Sequence, residues 1–116
     1  MLSKILIIDK RKELPAKYKK NIEDSNTSVT ISNTLKDAIQ NMQELEPDMI
    51  IVSDSIDEPL SEFCEKIRSL TYNTRPIIIA LSKSADSGDR IVVLDSGADD
   101  FLSEPVNIDE FKTRNL

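Results

Sequence analysis

Three stretches of strand length are apolar without interruption: residues 5–8 (ILII), 49–52 (MIIV) and 77–81 (IIIAL). A strand with one wet face alternates apolar and polar side chains, so unbroken runs belong to strands covered on both sides, as in a parallel sheet with helices on each face. Residues 28–32 do alternate, with Val29 and Ile31 on one side, which suits an edge strand. Phe101 and Leu102 mark a short fifth strand. Amphipathic stretches separate these runs. Leu14, Tyr18 and Ile22 recur every four residues, and Pro15 is tolerated in a first helical turn. Leu35, Ala38, Ile39, Met42 and Leu45 form an apolar stripe that Pro47 closes, and Leu60, Phe63, Cys64, Ile67 and Leu70 form another, opened by Pro59. Residues 86–96 read as a weaker helix with Gly97 as its cap. Asn107 with Glu110 three residues later starts a last one, with Ile108 and Phe111 toward the core. The pattern predicts five βα units in one open parallel sheet with helices on both faces, an α/β three-layer sandwich.

A chain of 116 residues fits one domain, and no linker or repeat divides residues 1–116. The net charge of −6 argues against nucleic-acid binding by this domain, which requires a basic footprint. The longest apolar run, five residues, is far short of a membrane span and of a signal-peptide core, so a cytoplasmic protein is expected. Cys64 is the one cysteine and allows no internal disulfide; its place in an apolar helical stripe marks it as an inert core residue. The absence of histidine removes histidine bases, zinc–histidine sites and serine–histidine triads together. Only Gly88 and Gly97 are present and neither follows the first strand, so no glycine-rich phosphate loop is available and a flavin or nucleotide binder is disfavoured. A hydrolase lacks its base and nucleophile pair, and no enzymatic activity is expected.

The order of short motifs is more specific than any one of them. The segment Gly97-Ala98-Asp99-Asp100-Phe101-Leu102-Ser103-Glu104-Pro105 resembles the G-A-D-D-Y/F-L-x-K-P end of the receiver domain of two-component signalling proteins. Lys4-Ile5-Leu6-Ile7-Ile8-Asp9 resembles the family's K-I-L-I-V-D opening, and Pro47-Asp48 its lead-in to the third strand. Pro76 with the apolar run and Ser82 resembles P-I-I-x-L-T/S, and Asp89-Arg90 ahead of Gly97 resembles the family's D-R spacing. The resemblance covers nearly the whole chain. It implies a flavodoxin-like (βα)5 fold of sheet order 2-1-3-4-5, with the site at the carboxyl ends of strands one and three where the order reverses.

The resemblance also implies a set of site positions. Asp9 matches the first of two acids that hold magnesium; the second acid is Lys10 here. Ser82 matches the hydroxyl that bonds the phosphoryl group, Phe101 the switch aromatic, and Pro105 the proline that follows a cis bond. The lysine that meets the phosphoryl group is Glu104. For the phospho-acceptor, counting from Pro47 lands on Ser53 and counting back from Ser82 favours Asp54; adjacent strand residues point to opposite faces, so one of the two faces the pocket. Asp54 is the preferred register. A magnesium site, if any survives, would use Asp9 and Asp54; otherwise no cofactor is expected.

Glu104 sets an anion where a phosphoryl oxygen needs a cation. Two unit charges about 4 Å apart interact by about 4 kcal/mol at an effective dielectric near 20, whereas about 1.4 kcal/mol is already tenfold in rate. The expectation is therefore an atypical pseudo-receiver, a regulatory or dimerisation module inside a longer multidomain signalling protein, with protein partners such as an output domain or a second copy. The alternative is a phosphorylatable receiver accepting at Asp54. Lys10 is expected either among Asp9, Asp54 and Glu104 as the pocket's replacement cation, or as an ordinary exposed lysine with no ionic role. The basic run Lys10, Arg11, Lys12, Lys17, Lys19 and Lys20 reads as a solvated helix face, or as a contact for an acidic partner such as the side of another copy carrying residues 44–65.

Overall fold

The computed structural model describes residues 2–84 and 86–116. Strands and helices alternate along the chain: β1 (Ser3–Ile8), α1 (Glu13–Ile22), β2 (Thr27–Ser32), α2 (Leu35–Leu45), β3 (Met49–Ser53), α3 (Leu60–Leu70), β4 (Ile77–Ser82), α4 (Ser87–Asp95), β5 (Asp100–Ser103) and α5 (Ile108–Asn115). The five strands form one parallel sheet in the order β2-β1-β3-β4-β5. The alternating segment expected at an edge, β2, is at an edge, and the three unbroken apolar runs are the three central strands.

Side-chain parity divides the core in two. Leu6, Ile8, Ile50, Val52, Ile78 and Ala80 pack with Ala38 and Met42 of α2, Phe63, Cys64 and Ile67 of α3, and Val93 of α4. Ile5, Ile7, Met49, Ile51, Ile79 and Leu81 pack with Tyr18 and Ile22 of α1 and Phe111 of α5. Even-numbered residues of the central strands thus face one helical layer and odd-numbered residues the other, the period-two rule applied to strands buried on both sides. This division decides which residues meet at the sheet's carboxyl end.

Local chemistry closes the helices. Thr34 and Asn107 accept the backbone N–H groups of Asp37 and Glu110, and Asp86 accepts those of Gly88 and Asp89, so three helices begin at side-chain caps. Gly97 follows α4 at φ 120°, where an added Cβ would be strained and would stand 3.4 Å from the Arg68 side chain. Arg68 lies there for a reason. Its Nε and Nη2 donate to the Gly97 carbonyl, Nη1 to the Pro76 carbonyl at 2.7 Å, and Nη2 also to Asp99 at 2.8 Å. Asp99 in turn accepts from the Ile78 backbone N–H. One side chain on α3 therefore fastens the starts of β4 and β5.

Replacing Arg68 by alanine takes its donors from two backbone carbonyls and leaves Asp99 with the Ile78 N–H alone. The expected loss is roughly 2 kcal/mol, read as a lower urea midpoint with an unchanged slope. Cys64 is fully buried, and burial pushes its thiol up to about 11. Against a free cysteine near 8.5, about three-hundredfold less thiolate is present at neutral pH. Native protein should react with a thiol reagent only as fast as it unfolds, with full reactivity in denaturant.

Candidate functional site

The carboxyl ends of β1, β3 and β5 meet on the α1/α5 side of the sheet. Ile8 pairs with Val52, so one further step brings Asp9 beside Ser53. Both are odd-numbered, and both point toward α1 and α5. Glu104, just past β5, is fixed by its backbone N–H bonding to the Ser82 carbonyl at 2.8 Å, and its peptide bond to Pro105 is cis.

The cation that joins these groups is Arg11. Its Nε donates to Asp9 Oδ1 at 3.0 Å and its Nη2 to Asp9 Oδ2 at 2.8 Å, a two-toothed grip on one carboxylate. The same Nη2 reaches Ser53 Oγ at 3.1 Å and Glu104 Oε2 at 3.0 Å. The Arg11 backbone N–H also donates to Asp9 Oδ1. From α1, the Tyr18 hydroxyl donates to Glu104 Oε2 at 2.6 Å. Asn33 steadies the turn by donating to the carbonyls of Asp9 and Arg11. Asp9 is wholly buried and the Glu104 side chain is 6% exposed. Glu104 Oε1 is buried with no hydrogen-bond partner among the described residues.

Two expectations are corrected here. Lys10 does not enter the pocket: its ammonium pairs with Asp57 at 2.6 Å, both side chains largely in solvent. The reason is the turn that follows β1. The chain bends at residue 10 as it leaves β1, with the Arg11 backbone N–H closing onto Asp9 Oδ1, so Arg11 and not Lys10 turns back on Asp9. Arg11 is thus no part of a solvated basic face. The register preferred from Ser82 also fails to bring Asp54 to Asp9. Asp54 follows the even-numbered side, where its carboxylate accepts from the Ser82 hydroxyl at 2.9 Å and from the Lys83 backbone N–H at 3.1 Å. Ser53 is the one gathered with Asp9. Phe101 lies on Asp54's side, buried in the core, and lines a groove with Asp54, Pro59, Leu60 and Ser82.

Electrostatically, two buried carboxylates share one guanidinium. The hydrogen bond to Asp9, backed by Glu104, holds Arg11 even more firmly protonated than usual. Burial first, and the hydrogen bond to Glu104 second, push the Tyr18 phenol well above the ordinary tyrosine range. Tyr18 had been read only as part of an apolar stripe; its hydroxyl is the donor that a buried acid opposite α1 requires.

The family model described as the response regulator receiver domain matches residues 5–115. The chain belongs to that family. Among its relatives, the KDP operon transcriptional regulatory protein KdpE of Escherichia coli is 28% identical over 113 residues, 97% of this chain and 49% of that protein. The response regulator ArlR of Staphylococcus saprophyticus is 31% identical over 114 residues, 97% of this chain and 50% of that protein. The receiver described here therefore spans about half the length of the curated relatives it matches. A two-component response regulator from Clostridium difficile superposes with a TM-score of 0.89 at 26% identity, covering 97% of this chain and 91% of that one.

Receivers in general bind Mg2+ at the phosphorylation site. The residues of this receiver do not fit that ion as they stand. Both Asp9 oxygens are engaged by Arg11, Lys10 replaces the second acid, and Ser53 offers a hydroxyl on the side where a carboxylate would be needed.

Removing Arg11 leaves two buried anions facing each other. Arg11→Ala should cost roughly 3 kcal/mol, measured by chemical denaturation at pH 7. In a Tyr72→Phe background, the absorbance titration of Tyr18 should have its midpoint above the usual value of about 10, and Glu104→Gln should bring it down. Because the folded-state phenol holds its proton more tightly than the unfolded one, this contribution to stability is complete below about pH 10. It falls as the pH rises from there.

Proposed function

We propose that this receiver domain is a pseudo-receiver, a non-enzymatic regulatory or dimerisation module that works through protein contacts without taking up a phosphoryl group. The observation that carries this reading is the position of Glu104. A buried carboxylate, 3.0 Å from Arg11, stands where the resemblance calls for the lysine that meets the incoming phosphate. An anionic group brought beside Asp9 and Glu104 would meet two negative charges, and Arg11, the guanidinium between them, is already committed to both. Like-charge opposition of this kind costs several kcal/mol at short range, about 4 kcal/mol per pair near 4 Å at moderate dielectric.

The domain's role is then set by what it is attached to and what it touches. KdpE is titled a transcriptional regulatory protein and is about twice the length of this chain. By analogy the domain acts alongside an output domain or a second copy, in the cytoplasm, in a signalling protein. Any nucleic-acid contact would belong to that other domain, since this one carries a net charge of −6.

A second reading has one observation in its favour. The Asp54 carboxylate is half-buried beside the Ser82 hydroxyl, an acid and hydroxyl pair at the end of adjacent strands. In that reading Asp54 accepts the phosphoryl group. Incubation with acetyl phosphate and Mg2+, followed by intact mass, separates the two. The pseudo-receiver reading expects no phosphoryl adduct under conditions that label an ordinary receiver run in parallel. An adduct lost in Asp54→Asn would overturn it in favour of the second.

A further inference from the structure

A parallel sheet gathers the starts of all its strands at one end, and here that end lies opposite the Arg11 cluster. Helices α3 and α5 run back from the carboxyl end, so their last residues reach the same face. Seven large apolar side chains are exposed among the described residues, and five of them lie at this end: Leu2, Leu70, Tyr72, Ile77 and Leu116. The other two, Ile91 and Val92, are on α4. One connection supplies three of the five. Leu70 ends α3, Tyr72 is 75% exposed in the turn after it, and Ile77 opens β4 at 46% exposed. Exposed apolar groups concentrated on one face mark a contact surface.

The polar groups beside them point to the occupant. Arg75 and Asp99 line one groove of about 460 Å³ together with Ile77. The Arg75 guanidinium has no ion-pair partner among the described residues. Its backbone sits at φ 47°, in a turn that its N–H closes onto the Thr71 carbonyl at 2.8 Å; glycine takes that conformation freely and arginine does so at a cost. Asp99 is half exposed. Its Oδ2 accepts from Arg68 and from the Ile78 N–H, and its Oδ1 takes no bond among the described residues. An open cation and an open carboxylate oxygen thus flank the same apolar side chain. A surface that carries both members of a pair fits a second copy of itself across a two-fold axis, each Arg75 meeting the Asp99 of the other copy.

We propose that this domain forms a symmetric dimer through the amino end of its sheet, with Tyr72 and Ile77 packed between the copies and Arg75 paired across the axis with Asp99. This contact gives the dimerisation module proposed above its surface, and it rests on that reading. Both Arg11 clusters are left at the far ends of the dimer, so pairing does not depend on what occupies the carboxyl end. Exposed aromatic and arginine side chains are the usual anchors of such a contact.

Sedimentation equilibrium of the 116-residue chain tests this. Wild type should pass from monomer to dimer in the micromolar range. Tyr72→Ser and Arg75→Glu should each weaken dimerisation at least about tenfold, whereas Ile91→Ser on α4 should leave it unchanged. Arg75→Gly separates the contact from folding. It should weaken dimerisation while its urea midpoint, taken on dilute monomeric protein, stays at or above that of wild type, since glycine accepts the positive φ without strain. A wild type that stays monomeric across the range, or a dimer that survives both Tyr72→Ser and Arg75→Glu, overturns the proposal. So does a dimer lost in Ile91→Ser but kept in Tyr72→Ser, which places the contact on α4. Phosphoryl uptake is read separately by intact mass. An adduct on a protein that still dimerises through Tyr72 sinks the pseudo-receiver reading alone, and an unlabelled protein that stays monomeric sinks the dimer alone.

Discussion

One guanidinium stands between two carboxylates that water does not reach. Asp9 and Glu104 come from opposite parts of the chain, and each would be costly to bury alone or against the other. Arg11 makes their proximity tolerable by gripping Asp9 through two parallel bonds and reaching Glu104 and Ser53 with the same nitrogen. That single charge bridges the ends of β1 and β3 and the turn after β5. Tyr18 adds the first helix to the set through its bond to Glu104. The cluster still holds two negative charges against one positive, and the orphaned Glu104 oxygen is where that imbalance is visible.

The sheet's parity explains why Ser53 and Asp54, neighbours at the end of β3, lead different lives. Ser53 inherits the odd-numbered side with Asp9, while Asp54 inherits the even-numbered side with Ser82 and Phe101. A receiver that transfers phosphate needs its acceptor, its metal ligands and its cation on one side. Here the acidic residue and the hydroxyl are on one side and the cation with its carboxylates is on the other. The separation is a property of the backbone, which no side-chain rotation reverses.

Much of the fold was legible in the chain. Unbroken apolar runs announced central strands because both faces of a parallel sheet are covered, and four-residue spacing announced helices because that is their repeat. The cap at Asn107 and the glycine stop at Gly97 followed from local chemistry. The site was legible only in part. Asp9 and Glu104 could be marked by their place in a motif, but Arg11 was hidden in a run of six basic residues whose ordinary meaning is a wet helix face. The available signal was an aspartate two residues before Arg11, since an aspartate side chain commonly accepts the backbone N–H two residues on and turns the chain. The acceptor register stayed ambiguous because β4 carries one residue more than the pattern, and sequence counting has no way to say on which side of a strand the extra residue falls.

The sequence by itself determined the layers, the strand order suggested by the family likeness, and the charge reversal at Glu104, because hydrophobic period and residue identity are local properties. Only the tertiary structure decided which cation answers that reversal. Lys10 and Arg11 are neighbours with the same charge, and composition cannot separate them. Their side chains leave the backbone in opposite directions, so one meets Asp57 in water and the other meets Asp9, Ser53 and Glu104 in the interior. The direction of a side chain at a strand's end exists only once the strand has neighbours to define its two faces.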